Sequence, residues 1–278
     1  MANPASTGKR SHHLTLIQVK HIHDISPRLR CITFHGDALR HYPADRHGAH
    51  IKLFIPQQGQ QIPTLPTFGE HGRPVWPEGE IRPIVRTYTI RAVRQEAAEL
   101  DIVFAMHDHA GPAVSFARQA KTGDYIGITS PGGPHPMLPP AAAYYLAGDP
   151  SALPAIAALL ENLPDDAQGH AVIRVDSSAD ILDLVKPDRI TLHWVVGGTE
   201  TTDEAINRFR ALPHQENAEQ AFYWLAGEDQ LVVQLRRYVR RERGCERNQL
   251  YAVPYWREGL NEEAYHRKRH DIMDNPDD

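Results

Sequence analysis

The alternation of hydrophobic and polar positions divides the chain into two parts that differ in period. In the first part, short alternating runs bounded by Gly, Pro and Asp predict six β-strands. These predicted strands cover residues 14–23, 29–36, 51–55, 85–93, 100–106 and 125–129. Short strands with turn residues between them are typical of an antiparallel β-barrel. The stretch 56–83 is rich in Pro and Gly and has no clear period, which predicts a loop packed over the barrel.

A proline-rich stretch at 131–140 stops any regular element and marks a boundary between domains. Beyond it, apolar runs alternate with helical patterns, which predicts an α/β domain with a parallel sheet and crossover connections. Its predicted strands are 143–147, 171–175, 190–196, 221–226 and 250–253, and its helices are 155–163, 202–212 and 230–243. We therefore predict a barrel domain at 12–135, an α/β domain at 140–256 and a tail at 257–278 that is compatible with a polar helix.

Composition narrows the class of protein. The chain has 278 residues, 41% hydrophobic and 23% charged, as expected for a soluble globular protein of two domains. It contains no apolar run of about 18 residues, and its N-terminus has no apolar core of a secretion signal. We therefore expect a cytoplasmic protein that neither spans a membrane nor is exported.

Charge and metal-binding residue types exclude further classes. A formal net charge of −5 argues against nucleic acid as a partner. Cys31 and Cys245 are too few for an iron–sulfur cluster held by this chain, so redox chemistry would need an organic cofactor. Among 17 histidines, the pairs with suggestive spacing lack further ligands, and we interpret them as core or solvated residues and predict no metal site. These pairs are His21 and His23, His107 and His109, and His266 and His270.

Two segments carry candidate chemistry. The stretch 86–91, Arg-Thr-Tyr-Thr-Ile-Arg, has strand alternation that puts Arg86 and Tyr88 on one face and Thr87 and Thr89 on the other. Such residues could hold a phosphate beside a flat ring, although a half-buried barrel strand with a surface arginine would show the same pattern. The stretch 107–117 ends a strand and turns through Gly-Pro into a short helix, whose first amides form an anion site.

In this order, the segments resemble the siderophore-interacting protein family, flavin-dependent ferric-siderophore reductases of the ferredoxin-reductase superfamily. The shared motifs are Arg-x-Tyr-Thr at 86–89, His107 with Gly-Pro-Ala at 111–113, and Gly-Asp at 123–124. Further landmarks are 50–54, 75–79 and 255–257, so the likeness extends from about residue 50 to residue 256. The resemblance implies a ferredoxin-reductase-like fold with FAD on the barrel and NADH or NADPH on the α/β domain.

The resemblance also implies roles for individual residues. Arg86 would pair with the FAD pyrophosphate, Tyr88 would pack on the flavin ring, and Thr89 would lie near its reactive nitrogen. Further residues implied at the ring edge and phosphates are His107, Gly111, Pro112, Ala113 and Ser115. Those implied on the nicotinamide nucleotide side are Gly148, Asp149, Ser151 and Glu228, although ordinary strand-to-helix turns would look alike.

The implied substrate is an anionic ferric siderophore, a catecholate for preference. Reducing Fe(III) would release the metal, because hard oxygen donors bind Fe(II) far less well. Such an anion calls for cations beside the flavin, and the candidates are Lys52, Arg241 and Arg257. For Arg241 and its neighbours on the predicted helix, a solvated helix face is the alternative interpretation.

Two other functions fit the sequence. The first is a flavin reductase that exchanges electrons with a ferredoxin-like partner, and the second is a carrier of ferric siderophore without turnover. The choice of nicotinamide depends on Asp176, at the end of the predicted strand 171–175, whose charge would repel a 2′-phosphate. Because no Lys or Arg lies between residues 175 and 185, and because Arg174 is not expected to reach beyond its strand, we predict NADH; Asp176 could instead merely cap a turn.

Overall fold

The computed structural model describes residues 14–69, 73–108, 111–215, 220–260 and 264–265. The chain forms an antiparallel sheet followed by a parallel sheet, which confirms the predicted two-part architecture. His109, His266 and His270 of the candidate histidine pairs, and most of the tail at 257–278, lie outside the described residues.

The antiparallel sheet has seven strands in the described part of the chain, in the order β6-β3-β9-β1-β2-β8-β7. They are β1 (Leu14–Ser26), β2 (Leu29–His35), β3 (His50–Ile55), β6 (Ile84–Thr89), β7 (Ala92–Arg94), β8 (Glu99–Ala105) and β9 (Tyr125–Thr129). All of these pairs are antiparallel. Apolar side chains that alternate along these strands are buried on one face, as in β3 where Ile51 and Leu53 are fully buried beside a partly exposed Lys52.

The predicted strand at 85–93 is in fact two strands, so the prediction of six strands was wrong by one. The chain changes partner at Ile90 and Arg91: the Ile90 N–H donates to the carbonyl of Ala49, whereas the Arg91 N–H donates to Asp101. A strand that moves from one neighbour to another must bend at the exchange, which a period of two cannot reveal. In the described part of the chain, the edge strands β6 and β7 do not pair with each other, so closure of the predicted barrel is not observed. The sheet is barrel-like, since it curls so that Tyr88 of β6 contacts Phe104 of β8, and we call this curled sheet the barrel.

The predicted loop between β3 and β6 carries a small hairpin. Its strands are β4 (Thr67–Phe68) and β5 (Pro74–Val75). Leu65 of this loop approaches Gly127 so closely that a Cβ there would lie 2.4 Å from a Leu65 methyl carbon. The loop therefore packs on the outside of the antiparallel sheet, as predicted.

The parallel sheet has the strand order β12-β11-β10-β13-β14. Its strands are β10 (Ala143–Gly148), β11 (Gln168–Val175), β12 (Arg189–Val196), β13 (Ala221–Glu228) and β14 (Leu250–Trp256). This order reverses direction at β10, and in such sheets ligands bind at the carboxyl ends of the strands near the reversal. Gly148 and Glu228, at the ends of β10 and β13, lie beside that point.

Four α-helices are described, and a π-helical turn at Tyr238–Glu242 extends the last of them. They are α1 (Pro112–Gln119), α2 (Leu153–Leu160), α3 (Thr202–Arg210) and α4 (Asp229–Arg237). The helix α2 is apolar all round and buried throughout its length, because it lies within a cluster shared by both sheets. A second cluster covers the other face of the parallel sheet beneath α3 and α4. In the described part of the chain, no helix is both long and apolar enough to cross a membrane.

Polar contacts join the two sheets at the turn between β1 and β2. The Ser26 hydroxyl and the Arg28 N–H both donate to Asp180 Oδ1, at 2.7 and 2.9 Å. Arg91, at the corner of the barrel, is paired with Glu161 at the end of α2. These contacts and the shared cluster hold the two sheets together.

Candidate active site at the junction of the two sheets

The side chains of the Arg-x-Tyr-Thr motif lie on the two faces of β6 as the alternation predicts. Residues opposite each other in an antiparallel pair share a face, and Arg86 and Tyr88 lie opposite Leu53 and Ile51. Thr87 and Thr89 lie opposite Lys52 and His50 on the other face. The prediction that the arginine and tyrosine share one face and the two threonines the other is confirmed.

Aromatic contacts fix Tyr88 at the edge of the barrel. Its ring centroid lies 4.6 Å from that of Phe104 on β8, and Phe104 lies 6.3 Å from Phe116 on α1. These rings join the motif strand to the helix that follows the second motif. Beside them, Arg86 Nη1 donates to the carbonyl of Val85 at 2.8 Å, which holds the guanidinium against the strand.

The helix α1 begins at the second motif. Gly111 is its N-cap and Pro112 its first residue, so the amides of Ala113 and Val114 open the helix without a side-chain cap from the glycine. The first-turn amides of a helix and the positive end of its dipole favour an anion there. Ser115 closes the first turn with a backbone hydrogen bond to Gly111, and a Cβ built on Gly111 would lie 3.7 Å from the His107 ring.

The two sheets meet at Thr89. This buried residue ends β6, and its hydroxyl contacts that of Tyr255 near the end of β14. Burial holds the pKa of the Tyr255 phenol well above its ordinary value, and the neighbouring Tyr251 and Asp149 act in the same direction. The phenol is therefore a neutral hydroxyl at physiological pH.

The residues predicted on the nucleotide side all lie at the carboxyl edge of the parallel sheet. Asp149 is fully buried, and its oxygens accept hydrogen bonds from protein donors. Oδ1 accepts from the Ser151 N–H and hydroxyl at 2.9 and 2.6 Å, and Oδ2 accepts from the Glu228 N–H at 2.8 Å and Trp256 Nε1 at 2.7 Å. Asp149 thus binds the ends of β10, β13 and β14 together.

Glu228 caps the N-terminus of α4. Its carboxylate accepts from the Gln230 N–H at 2.6 Å and the Leu231 N–H at 3.4 Å. Burial raises the pKa of Glu228, and these N–H donors oppose part of that shift by stabilising the charged form. Like Asp149, this side chain is therefore tied to the protein's own backbone.

Two of the three predicted cations lie on elements that meet where Thr89 contacts Tyr255. Lys52 donates to the Thr87 hydroxyl at 2.6 Å, on the face of the barrel that meets Tyr255 through Thr89. Arg257 follows β14 by one residue, and its Nη1 lies 3.5 Å from Asp229 Oδ2. A cavity of about 450 Å³ adjoins Arg257 and is lined in part by Glu228, Asp229 and Glu258.

Arg241 does not join this site. It belongs to the π-helical turn that precedes β14, whereas Arg257 follows that strand. A strand of seven residues is roughly 20 Å long, so Arg241 lies near the amino-terminal ends of the parallel strands, whereas Arg257 lies near their carboxyl ends. Arg241 and Arg257 are only 16 residues apart in the chain, but β14 lies between them and separates them in space.

Sequence reasoning missed residues that the structure places at the junction. Tyr255 and Trp256 appeared only as landmarks of a family, yet they contact Thr89 and Asp149. Arg174 was expected to stay within its strand, but its Nη1 reaches Asp176 Oδ1 at 3.2 Å and the Gly197 carbonyl at 3.0 Å, beyond the strand end. No local pattern could have shown the contacts of Tyr255 and Trp256 or that of Arg174 with Gly197, since those partners come from different strands.

The residues at the barrel side fit a flavin dinucleotide. A guanidinium, the start of a helix and an aromatic ring offer contacts for a pyrophosphate and a flat ring system. Asp149 and Glu228 would act behind the binding surface, since both carboxylates already accept protein donors.

Comparison with known proteins supports this assignment. The sequence profile of the siderophore-interacting FAD-binding domain matches residues 18–135, and that of the siderophore-interacting protein matches residues 141–259. The chain is 38% identical over 251 residues to the ferric vibriobactin reductase ViuB of Vibrio cholerae, covering 90% of this chain and 92% of that protein. It is 31% identical to the NADPH-dependent ferric-chelate reductase of Escherichia coli, covering 89% and 93% of the two chains.

A solved structure gives the same result. The siderophore-interacting protein SipS from Aeromonas hydrophila superimposes with a TM-score of 0.83 at 47% identity, over 95% of this chain and 99% of that one. Both sheets and the junction between them fall within the matched length. The chain belongs to the siderophore-interacting protein family.

Proposed function

We propose that this protein is an FAD-dependent ferric-siderophore reductase that takes electrons from NADH or NADPH. The observation that carries the proposal is the meeting of three features at one junction. These are the Arg-x-Tyr-Thr strand, the N-terminus of α1, and the carboxyl edge of the parallel sheet. Relatives named as a ferric vibriobactin reductase and a ferric-chelate reductase support the same chemistry.

A flavin is suited to this reaction because it accepts two electrons as hydride and can pass them on singly. The protein's part is to bind and orient. Arg86 and the first amides of α1 would hold the pyrophosphate, Tyr88 would support the ring, and Thr89 would lie at the ring's reactive edge. The neutral phenol of Tyr255 closes this edge on the side of the parallel sheet.

The substrate we propose is a ferric complex of an anionic siderophore, for preference a catecholate. Lys52 and Arg257 supply positive charge on the side of the junction where Thr89 and Tyr255 meet. One-electron reduction would weaken the complex, because catecholate oxygens hold Fe(III) much more firmly than Fe(II). We place the reaction in the cytoplasm, where nicotinamide nucleotides are abundant.

The test is reduction of a ferric tris-catecholate by the purified, flavin-loaded protein in the presence of a ferrous chelator. We expect a yellow protein that is bleached by a reduced nicotinamide under anaerobic conditions and re-oxidised by the ferric complex. Re-oxidation that requires a ferredoxin-like protein would favour the ferredoxin-linked alternative. Binding of the ferric complex without bleaching would favour the carrier.

A further inference from the structure

The end of β14 contains a β-bulge. In the pairing of β13 with β14, Gly227 lies opposite Pro254 and Glu228 lies opposite Trp256, which leaves Tyr255 without an opposite residue. A bulge bends its strand and redirects a side chain, and bulges are frequent beside active sites. Here the redirected side chain is the one that contacts Thr89 of the barrel.

One carboxylate oxygen holds both residues of the pair that follows the bulge. Asp149 Oδ2 accepts from the Glu228 N–H at 2.8 Å and from Trp256 Nε1 at 2.7 Å. Trp256 and Asp149 are 107 residues apart in the chain, so this is a tertiary contact and not a turn. The bulge is therefore held by Asp149, the residue after β10, a strand that does not pair with β14.

Asp149 is itself held in place from other directions. Ser151 donates to Oδ1 through its N–H and its hydroxyl, and Arg174 Nη2 lies 3.9 Å from Oδ2. Gly227 makes room for the carboxylate, since a Cβ there would lie 2.7 Å from it. An acceptor that is buried and bonded on both oxygens is rigid, which suits a group that fixes another segment.

We infer that Asp149 is a positioning residue whose hydrogen bond from Trp256 fixes the bulge and thereby holds Tyr255 against Thr89. The inference deepens the proposed function and rests on it for its catalytic consequence. Asp149 then acts on the flavin-facing side of the junction, in addition to bordering the nucleotide side. The same contact fixes Arg257, the next residue along the chain.

Trp256→Phe is the sharpest test, because it removes the indole N–H donor and keeps an aromatic ring. The ionisation of the Tyr255 phenol is followed by the absorbance of the full-length chain, without added flavin, as the pH is raised. The same titration of a variant that also carries Tyr255→Phe is subtracted, so that the difference reports Tyr255 alone. In the wild type we expect this phenol to ionise well above the ordinary tyrosine pKa of about 10, and in Trp256→Phe to ionise nearer that ordinary value. In the flavin-loaded protein we expect a changed flavin absorption spectrum and a kcat for iron reduction lower by on the order of tenfold.

Asp149→Asn is not an equivalent test, because losing the Asp149 charge would by itself lower the pKa of Tyr255, so Trp256→Phe decides. The matched control is Trp194→Phe on β12, at the opposite edge of the parallel sheet, which should leave the Tyr255 titration unchanged. An unchanged Tyr255 titration in Trp256→Phe, with only a loss of thermal stability, would overturn the inference. Because the titration needs neither flavin nor iron, a shift in a protein that reduces no siderophore would uphold the positioning role and refute the proposed function.

Discussion

At the scale of single residues, a motif identifies the type of group at a site but not the direction in which it points. Asp149 follows a strand and precedes a hydroxyl, as a nucleotide contact would, yet its carboxylate is fully buried and accepts from protein donors. Arg86 and Tyr88 are different, since the faces predicted from alternation are those observed. Side chains along a strand alternate between its two faces whatever packs against them, whereas the rotamer of a turn residue depends on its tertiary neighbours.

The role of Arg86 can be tested by Arg86→Ala. A charge-assisted contact with phosphate contributes about 1.5–3 kcal/mol, so the variant should lose FAD on dialysis that the wild type survives. Flavin occupancy is read from the visible absorption of the dialysed protein. Arg94→Ala is the control, because Arg94 lies on β7 and pairs with Glu99 and Asp101, away from the motif. Full occupancy in Arg86→Ala would contradict the assignment.

A second prediction concerns the positive charges of Lys52 and Arg257. Lys52→Ala and Arg257→Ala should raise the KM for an anionic ferric catecholate and leave flavin reduction by the nicotinamide largely intact. The loss should shrink at high salt, since exposed charges are screened over about 8–10 Å. Steady-state kinetics at two ionic strengths, with stopped-flow measurement of the flavin half-reaction, separate these effects.

Arg241→Ala is the matched control for those cations, because Arg241 lies near the amino-terminal ends of the parallel strands and Arg257 near their carboxyl ends. Its KM for the ferric complex should be that of the wild type. An increase equal to that of Arg257→Ala would mean that substrate is bound by long-range charge and not at the junction.

At the scale of elements, turns and bends decide where the strands deliver their residues. The chain bends at Ile90 and Arg91 to exchange β3 for β8, and it bulges at Tyr255 to reach the barrel. Neither irregularity interrupts the hydrophobic pattern, so the sequence predicted one strand where there are two. Both lie beside the motif strand, where the two sheets have to meet.

Gly227 shows what such an element requires. Its φ of 121° is strained for any residue with a Cβ, and a Cβ would also meet the Asp149 carboxylate at 2.7 Å. Gly227→Ala should therefore destabilise the protein by more than the 1–3 kcal/mol typical of backbone strain alone, as measured by denaturant unfolding. Gly59→Ala is the control for strain without a contact, because Gly59 has a φ of 91° and open space around it. Equal losses in the two variants would show that the contact with Asp149 is unimportant.

At the scale of the whole molecule, the β1–β2 turn of the barrel reaches the carboxyl edge of the parallel sheet. Arg28 is paired with Asp108, and smaller influences from Asp176 and Asp180 also raise its pKa. The sequence could not have placed this cation near Asp176, since it comes from the other domain. The charge around the end of β11 is thus set by both domains together.

The preference for NADH remains our prediction, although Arg174 reaches further than the sequence suggested. Its side chain is buried and donates to Asp176 and to the Gly197 carbonyl, and Arg28 is engaged by Asp108. The half-exposed carboxylate of Asp176 should still repel a 2′-phosphate. Stopped-flow reduction of the bound flavin by each nucleotide decides the matter, and faster reduction by NADPH would contradict the prediction. In that event Arg28→Ala would show whether the barrel supplies the phosphate's partner.

Local sequence patterns were enough to predict the class of each sheet, the faces of the motif strand and the start of α1. These properties depend on residues within a few positions of one another, and period, turn chemistry and capping act at that range. Three further properties depend on how distant strands pack together: Tyr255 meets Thr89, Asp149 binds Trp256, and Arg241 lies far from Arg257. The Asp149 contact joins residues 107 positions apart, and it exists because the order of strands in the parallel sheet brings the ends of β10, β13 and β14 to one edge.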